Sequence, residues 1–229
     1  MGLAEIIPGI SGGTVALILG IYERLIHAIN SFDIAFLNHL KKSEIGQAWK
    51  KVDGSFISTL LIGMLFSIYF LSSLILLLLE TFPIAFKSFL SFLLFFSVFL
   101  DPIRPRISKE FFAGLFLSFL ICLMLYLFPV GSFEEIRLSY IFLSGLIAIS
   151  ALVIPGISGS FILLLMGTYQ SILLAVKNID LLILCVFLLG AIIGLFSIAK
   201  LIKMAFEQKR ELLMSIFFGL ILFLSLIHI

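Results

Sequence analysis

The chain reads as an all-α polytopic membrane protein, an inverted repeat with two re-entrant, broken-helix hairpins and about five full transmembrane helices. Three observations predict this class. Hydrophobic residues make up 62% of the 229 positions and charged residues only 12%, with a mean hydropathy of +1.29; a soluble domain carries about 25% charge. A block of glycine, proline and small hydroxyl residues occurs twice within this apolar chain. The lysines and arginines are placed so that only one topology gathers them on one face.

The duplicated block is Ile7-Pro8-Gly9-Ile10-Ser11-Gly12-Gly13-Thr14 and Ile154-Pro155-Gly156-Ile157-Ser158-Gly159-Ser160. An apolar run, a glycine and a tyrosine follow each copy at the same distance: Gly20 and Tyr22, then Gly167 and Tyr169. Residues 7–29 aligned with 154–176 give 10 identities in 23 positions without a gap. A pair of broken apolar segments in corresponding halves points to a transporter's binding site.

In chain order, residues 1–29 hold the first breaker and an outgoing arm from Thr14 to Ile29. Residues 30–54 are the one long polar stretch. Leu37, Ile45, Ala48, Trp49 and Val52 fall near helical spacing there, with Lys41, Lys42, Lys50 and Lys51 largely elsewhere. That pattern suits either an amphipathic helix on an anionic membrane face or a solvated loop. Apolar spans follow at about 55–79 and 84–100, broken at Pro83. A charged turn over 101–110 precedes a span at about 111–128. The segment 138–153 leads into the second breaker and 161–176 leads out. Spans at about 181–202 and 212–229 close the chain. The expected units are a first repeat over 1–101, a connecting span within 102–137 and a second repeat over 138–229.

Charge placement sets the topology, because short cytoplasmic loops hold the excess of Lys and Arg. If 138–177 enters the membrane and returns, one face holds Lys41, Lys42, Lys50, Lys51, Arg104, Arg106, Lys109, Lys200, Lys203, Lys209 and Arg210. The other holds only Lys87, Arg137 and Lys177. If the segment crosses instead, the last four of the first group change sides and the bias vanishes. The re-entrant topology inverts the two copies, the first opening from the cytoplasmic face and the second from the outer one. Gly63 and Gly190 hold comparable places in the spans that follow. About 16 residues precede the second breaker and seven the first, so the first hairpin has either a stunted incoming arm or further chain before it.

Broken backbone at membrane depth must be satisfied by protein or by a polar cavity. Pro8 and Pro155 suit a helix's first turn, having no N–H to leave unpaired. Ser11, Gly12, Gly13 and Thr14, and likewise Ser158, Gly159 and Ser160, then present backbone donors and hydroxyls, a pattern that suits an anion such as phosphate. The alternative, that small residues merely let helices approach, leaves the proline and the duplication unexplained. Glu5 is either a proton carrier near the midplane or a solvated carboxylate near the start of the chain. Arg24, about 15 Å beyond Thr14 along a straight helix, suits attraction of an anion or simple snorkelling. Tyr22 and Tyr169 are interface aromatics or members of the hairpin tips. A net charge of +2 argues against nucleic acid as a partner. Cys122, Cys185, His27, His39 and His228 have no metal or redox spacing, so no cofactor is expected. The opening Met-Gly-Leu-Ala-Glu has neither the basic start nor the cleavage site of a signal peptide.

The run from Gly2 to Thr14, followed by Gly20-Ile21-Tyr22-Glu23-Arg24, resembles the bacterial polyprenyl-phosphate transporter family, formerly a domain of unknown function. The block from Ile154 to Phe161, with Gly167 and Tyr169, is similar to that family's second signature. The resemblance implies a multi-pass flippase of the bacterial cytoplasmic membrane that returns undecaprenyl phosphate, the lipid carrier of cell-wall sugars, to the cytoplasmic leaflet. Glu5 stands where many members carry Asp, and members extend further at both ends. Two other readings compete. A polyprenyl-pyrophosphate phosphatase shares a Pro-Gly-Ile-Ser block, but its chemistry calls for Arg and His beside the serine, and here Gly12 and Gly159 follow the serines. A small-anion carrier or channel would need no lipid. The expected assignment is a transporter and not an enzyme.

Overall fold

The computed structural model describes residues 1, 2, 4, 11–99, 103, 105–127 and 137–227. Every regular element among them is helical. In chain order these are α1 (Gly12–Ile18), α2 (Tyr22–Asn30), α3 (Ile34–Lys41), α4 (Ile45–Lys51), α5 (Gly54–Thr81), α6 (Pro83–Ser97), α7 (Lys109–Leu127), α8 (Leu138–Val153), α9 (Gly159–Leu165), α10 (Tyr169–Asn178) and α11 (Leu181–Ile227).

Local chemistry sets the boundaries. Ser11 caps α1 by accepting the Gly13 N–H, and Asp33 caps α3 by accepting the Phe36 N–H. Pro83 opens α6 at a position where its missing N–H does no harm. Asp180 accepts the Ile183 N–H at the start of α11.

Three helices are long and apolar enough to cross a membrane: Gly54–Ile75 within α5, Lys109–Leu127, and Leu181–Phe223 within α11. None of the most apolar stretch of Gly54–Ile75 is buried within the protein. Leu61, Ile62, Leu65, Phe66 and Phe70 are more than half exposed, a surface suited to contact with lipid tails. At 47 residues, α11 would measure about 70 Å, more than twice the hydrocarbon thickness. It is broken at Lys209, where φ is −143° and ψ 52°, so its two arms are each long enough to cross. With α5 and α7, these arms make four segments long enough to cross, and the 15-residue α6 is a further apolar helix short of that length.

The two hairpins depart from expectation in one respect. Each outgoing arm is a helix of seven residues, α1 or α9, that then turns into a second helix, α2 or α10, through 118° and 110° respectively. A change of direction beyond a right angle carries the chain back from its first course, so neither pair crosses as one span. Gly20 (φ 70°) and Gly167 (φ 68°) sit in the left-handed region at these corners. Around the first, the Gly20 N–H donates to the Leu17 carbonyl and the Ile21 N–H to that of Ala16, all at 3.0 Å. The same pair recurs at Gly167 to Leu164 and Thr168 to Leu163, again at 3.0 Å. This is the Schellman termination, which favours glycine because it has no Cβ to strain. The sequence match between the copies therefore marks matched three-dimensional corners, not straight arms.

Helices approach closely where small residues face each other. A Cβ on Gly190 would strike the Phe142 carbonyl oxygen, one on Gly194 that of Leu146, and one on Gly145 that of Phe187. These three glycines hold α8 against the first arm of α11. Gly114 and Ser118 of α7 similarly meet Ser215 and Gly219 of the second arm. One core gathers Tyr22 and Ile26 from α2 with Val98, Ala199, Ile202, Phe217 and Ile221. A second joins Cys122, Ala148, Ile157, Ile162 and Leu220. The broken segments thus rest on α11, the backbone of the bundle.

The charged segments meet at one end. The Arg24–Asp53 pair ties α2 to the start of α5, Arg210 pairs with Glu23, and Lys51 pairs with Asp33 at 3.1 Å. Lys109 and Glu110 line a cavity of about 600 Å³ together with residues 206–212. The polar stretch, the start of α7 and the break in α11 therefore lie together, as the charge count required.

Candidate functional site

The two breakers meet. Ser11 is extended (φ −102°, ψ 138°), as is its counterpart Ser158 (φ −96°, ψ 129°), so each serves as the N-cap of its short helix. The Ser11 hydroxyl donates to the Leu152 carbonyl at 3.2 Å while accepting the Gly13 N–H at 3.1 Å. Thr14 Oγ1 accepts the Gly156 N–H at 2.7 Å. The Tyr22 hydroxyl donates to the Val153 carbonyl at 3.0 Å. A helix leaves its last carbonyls without internal partners, and α8 ends at Val153. Two hydroxyls from the first repeat therefore satisfy carbonyls that the second breaker frees.

Glycine makes this approach possible. A Cβ on Gly13 would lie 2.9 Å from the Val153 oxygen and 3.2 Å from that of Leu152. Gly156, at φ 95°, lies against the backbone of Leu220 and Ile221. Gly159 packs on the Ala148 carbonyl, where an added Cβ would fall at 2.8 Å. Pro155, Gly12 and Gly159 are buried.

The two copies differ in how far their hydroxyls are sequestered. Ser11, Thr14 and Tyr22 are almost wholly buried. Ser158 is half-buried and Ser160 exposed, and their Oγ atoms lie 2.8 Å apart. Where the first copy has the Gly13 N–H as partner for its capping serine, the second has the Ser160 hydroxyl. Tyr169, at the start of α10, is half-buried, and its hydroxyl makes no hydrogen bond among the described residues. No charged residue occurs in 11–21 or 138–168, so the meeting point offers hydroxyls and backbone dipoles.

Arg24 is not where a straight helix would put it. The corner at Gly20 directs α2 along the charged end of the bundle. There Arg24 makes a two-pronged pair with Asp53, at 2.6 Å from Nε and 3.1 Å from Nη2, and stacks 4.4 Å from the centre of the Phe56 ring. Hydrogen bonding from Arg24 holds the Asp53 carboxyl below the usual carboxylate range. Glu5, Pro8 and Gly9 lie outside the described residues.

Three features escaped the sequence reading. Tyr140 donates to the Met166 carbonyl at 3.0 Å and closes α8 onto α9. Asn30 donates to the Ile26 and Ala199 carbonyls and fastens α2 to α11. Asp53 is the partner of Arg24. The corner glycines are the signal that could have revealed the last of these, since an apolar run ending in glycine marks a helix stop.

Residues 1–227 match the family described as undecaprenyl phosphate translocase-like. A protein of Vibrio cholerae serotype O1 named polyprenyl-phosphate transporter is 37% identical over 226 residues, covering 97% of this chain and 72% of the relative. No solved structure matches. With both hairpin blocks inside the matched region, the chain belongs to the undecaprenyl phosphate translocase-like family.

Proposed function

We propose that this protein moves a polyprenyl phosphate, undecaprenyl phosphate being the example that the family description names, between the leaflets of the bacterial cytoplasmic membrane. The phosphate headgroup passes where the two breakers meet, while the prenyl tail stays in the bilayer. The observation that carries this reading is the set of hydrogen bonds between the side chains of Ser11, Thr14 and Tyr22 and the backbone of the second breaker. The relative's name and the family description both support a transporter rather than a phosphatase.

The bonding chemistry suits exchange. Phosphate oxygens accept hydrogen bonds, as the Leu152 and Val153 carbonyls do, so Ser11 and Tyr22 can turn from carbonyl to headgroup without losing a partner. Ser158 and Ser160 already present hydroxyls at the edge of the seam. Gly12, Gly13, Pro155, Gly156 and Gly159 shape the turns that let a headgroup approach the backbone, and Pro8, Gly9, Tyr22 and Tyr169 belong to the same binding set. Arg24 attracts the anion at the charged end by exchanging Asp53 for phosphate, and Glu5 carries a proton. The repeats over 1–101 and 138–229 are the parts that move against each other, joined by the span within 102–137.

The test is leaflet exchange in vesicles carrying the purified protein and a polyprenyl phosphate. Exchange should run faster than in protein-free vesicles. Ser11→Val combined with Ser158→Val should slow it on the order of 100-fold or more, each lost charge-assisted hydrogen bond contributing about 1.5–3 kcal/mol. Exchange no faster than in empty vesicles, or a double variant with full activity, overturns the proposal. Entry of inorganic phosphate without lipid exchange would identify a small-anion carrier instead.

A further inference from the structure

The polar stretch folds as a helical hairpin whose acids are all held in ion pairs. Asp33 pairs with Lys51 and caps α3, Glu44 pairs with His39 at 2.7 Å, and Asp53 pairs with Arg24. These are all the carboxylates between residues 31 and 54. Lys41, Lys42 and Lys50 are exposed and form no ion pair among the described residues. The hairpin thus presents uncompensated positive charge.

Its apolar residues point outward as well. Ile34 is 77% exposed, Leu37 53%, Ile45 70% and Trp49 49%. Ile34, Leu37 and Lys41 follow one line along α3, and Ile45 and Trp49 stand one turn apart on α4, spacings that put each set on one face. Only Ala48 of α4 is buried. The hairpin sits where α5 enters its apolar stretch at Gly54, fixed there by the Arg24–Asp53 pair and by the Trp49 ring lying against Gly54. Apolar side chains beside unpaired lysines, at the level where a span begins, match a surface that is apolar below and anionic above.

We propose that residues 32–52 dock on the anionic lipid headgroups of the leaflet at this end, with Ile34, Leu37, Ile45 and Trp49 inserted and Lys41, Lys42 and Lys50 facing lipid phosphates. The occupant is a lipid surface, not a soluble protein or a second copy of the chain. This inference stands apart from the identity of the transported lipid.

Trp49 is the sole tryptophan, so its fluorescence reports on the hairpin alone. The full chain is placed in vesicles of phosphatidylcholine, with or without phosphatidylglycerol, and probed with acrylamide from water and with lipids brominated near the headgroup. The expected result is protection from acrylamide and quenching by bromine that both strengthen with phosphatidylglycerol. Each lysine should contribute about fivefold to the docking equilibrium, so Lys41→Ala, Lys42→Ala and Lys50→Ala together should shift it on the order of 100-fold. Arginine at the same three positions should keep the protection, which separates charge from folding defects. Equal acrylamide access in both lipids overturns the proposal. So does protection that appears in lipid-free detergent and grows with protein concentration, since a second copy would then cover the face.

Discussion

The Tyr22 hydroxyl reaches a carbonyl 131 positions away, while its ring lies edge-on to Phe217 at 5.5 Å. Tyr22→Phe preserves the ring and removes only the hydroxyl. It leaves the Val153 carbonyl unpaired in a buried place, which should cost about 1–3 kcal/mol, read as a lower thermal midpoint in detergent. Tyr169→Phe, whose hydroxyl has no partner among the described residues, should change the midpoint far less; equal losses would show that the bond to Val153 contributes nothing of its own. The sequence paired these tyrosines, as interface aromatics or members of the hairpin tips, and carried no sign of the acceptor. A main-chain carbonyl leaves no trace in residue identity. The same holds for Ser11 and Thr14, readable as hydroxyls at a helix start but not as bonds to the opposite repeat. For Arg24 only the distance along a straight helix fails, because the chain turns at Gly20.

At the scale of elements, the duplicated blocks were legible because proline and glycine interrupt an apolar run, and only local chemistry is needed to read that. The corners at Gly20 and Gly167 were harder. Hydropathy continues through them, and an apolar run records that a segment is buried or lipid-facing without recording its direction. The packing of α8 on α11 was hidden as well, since a glycine's value there depends on which carbonyl it faces. Gly190→Leu should therefore disrupt the bundle, because the Phe142 backbone cannot yield as a side chain can. Overpacking costs about 1–3 kcal/mol where neighbours can shift, and a backbone contact should reach the upper end or prevent assembly. Gly63→Leu, where an added Cβ meets nothing within 4 Å, should be tolerated. Monodisperse yield and the thermal midpoint distinguish the two, and similar behaviour would contradict the close crossing.

For the whole molecule, arrangement of charge was the most legible property, because membrane insertion sorts lysine and arginine by side before any packing is known. The pairs Arg24–Asp53 and Arg210–Glu23 bring the separated basic segments to one end. With Cys122 and Cys185 replaced by alanine, cysteines introduced at Lys42 and Lys203 should react with an impermeant thiol reagent from one side of the membrane. A cysteine at Lys177 should react from the other; labelling of all three from the same side would overturn the inverted arrangement. The bonds between the breakers carry one more consequence. Among the described residues, every hydrogen-bond partner that Ser11, Thr14 and Tyr22 find in the second repeat is a main-chain atom of Leu152, Val153 or Gly156. These three bonds therefore do not depend on which side chains stand at 152 and 153, although Val153 also packs on the core that holds Tyr22. Covariation between the halves should carry the packing of Val153 and stay silent about the hydrogen bonds themselves.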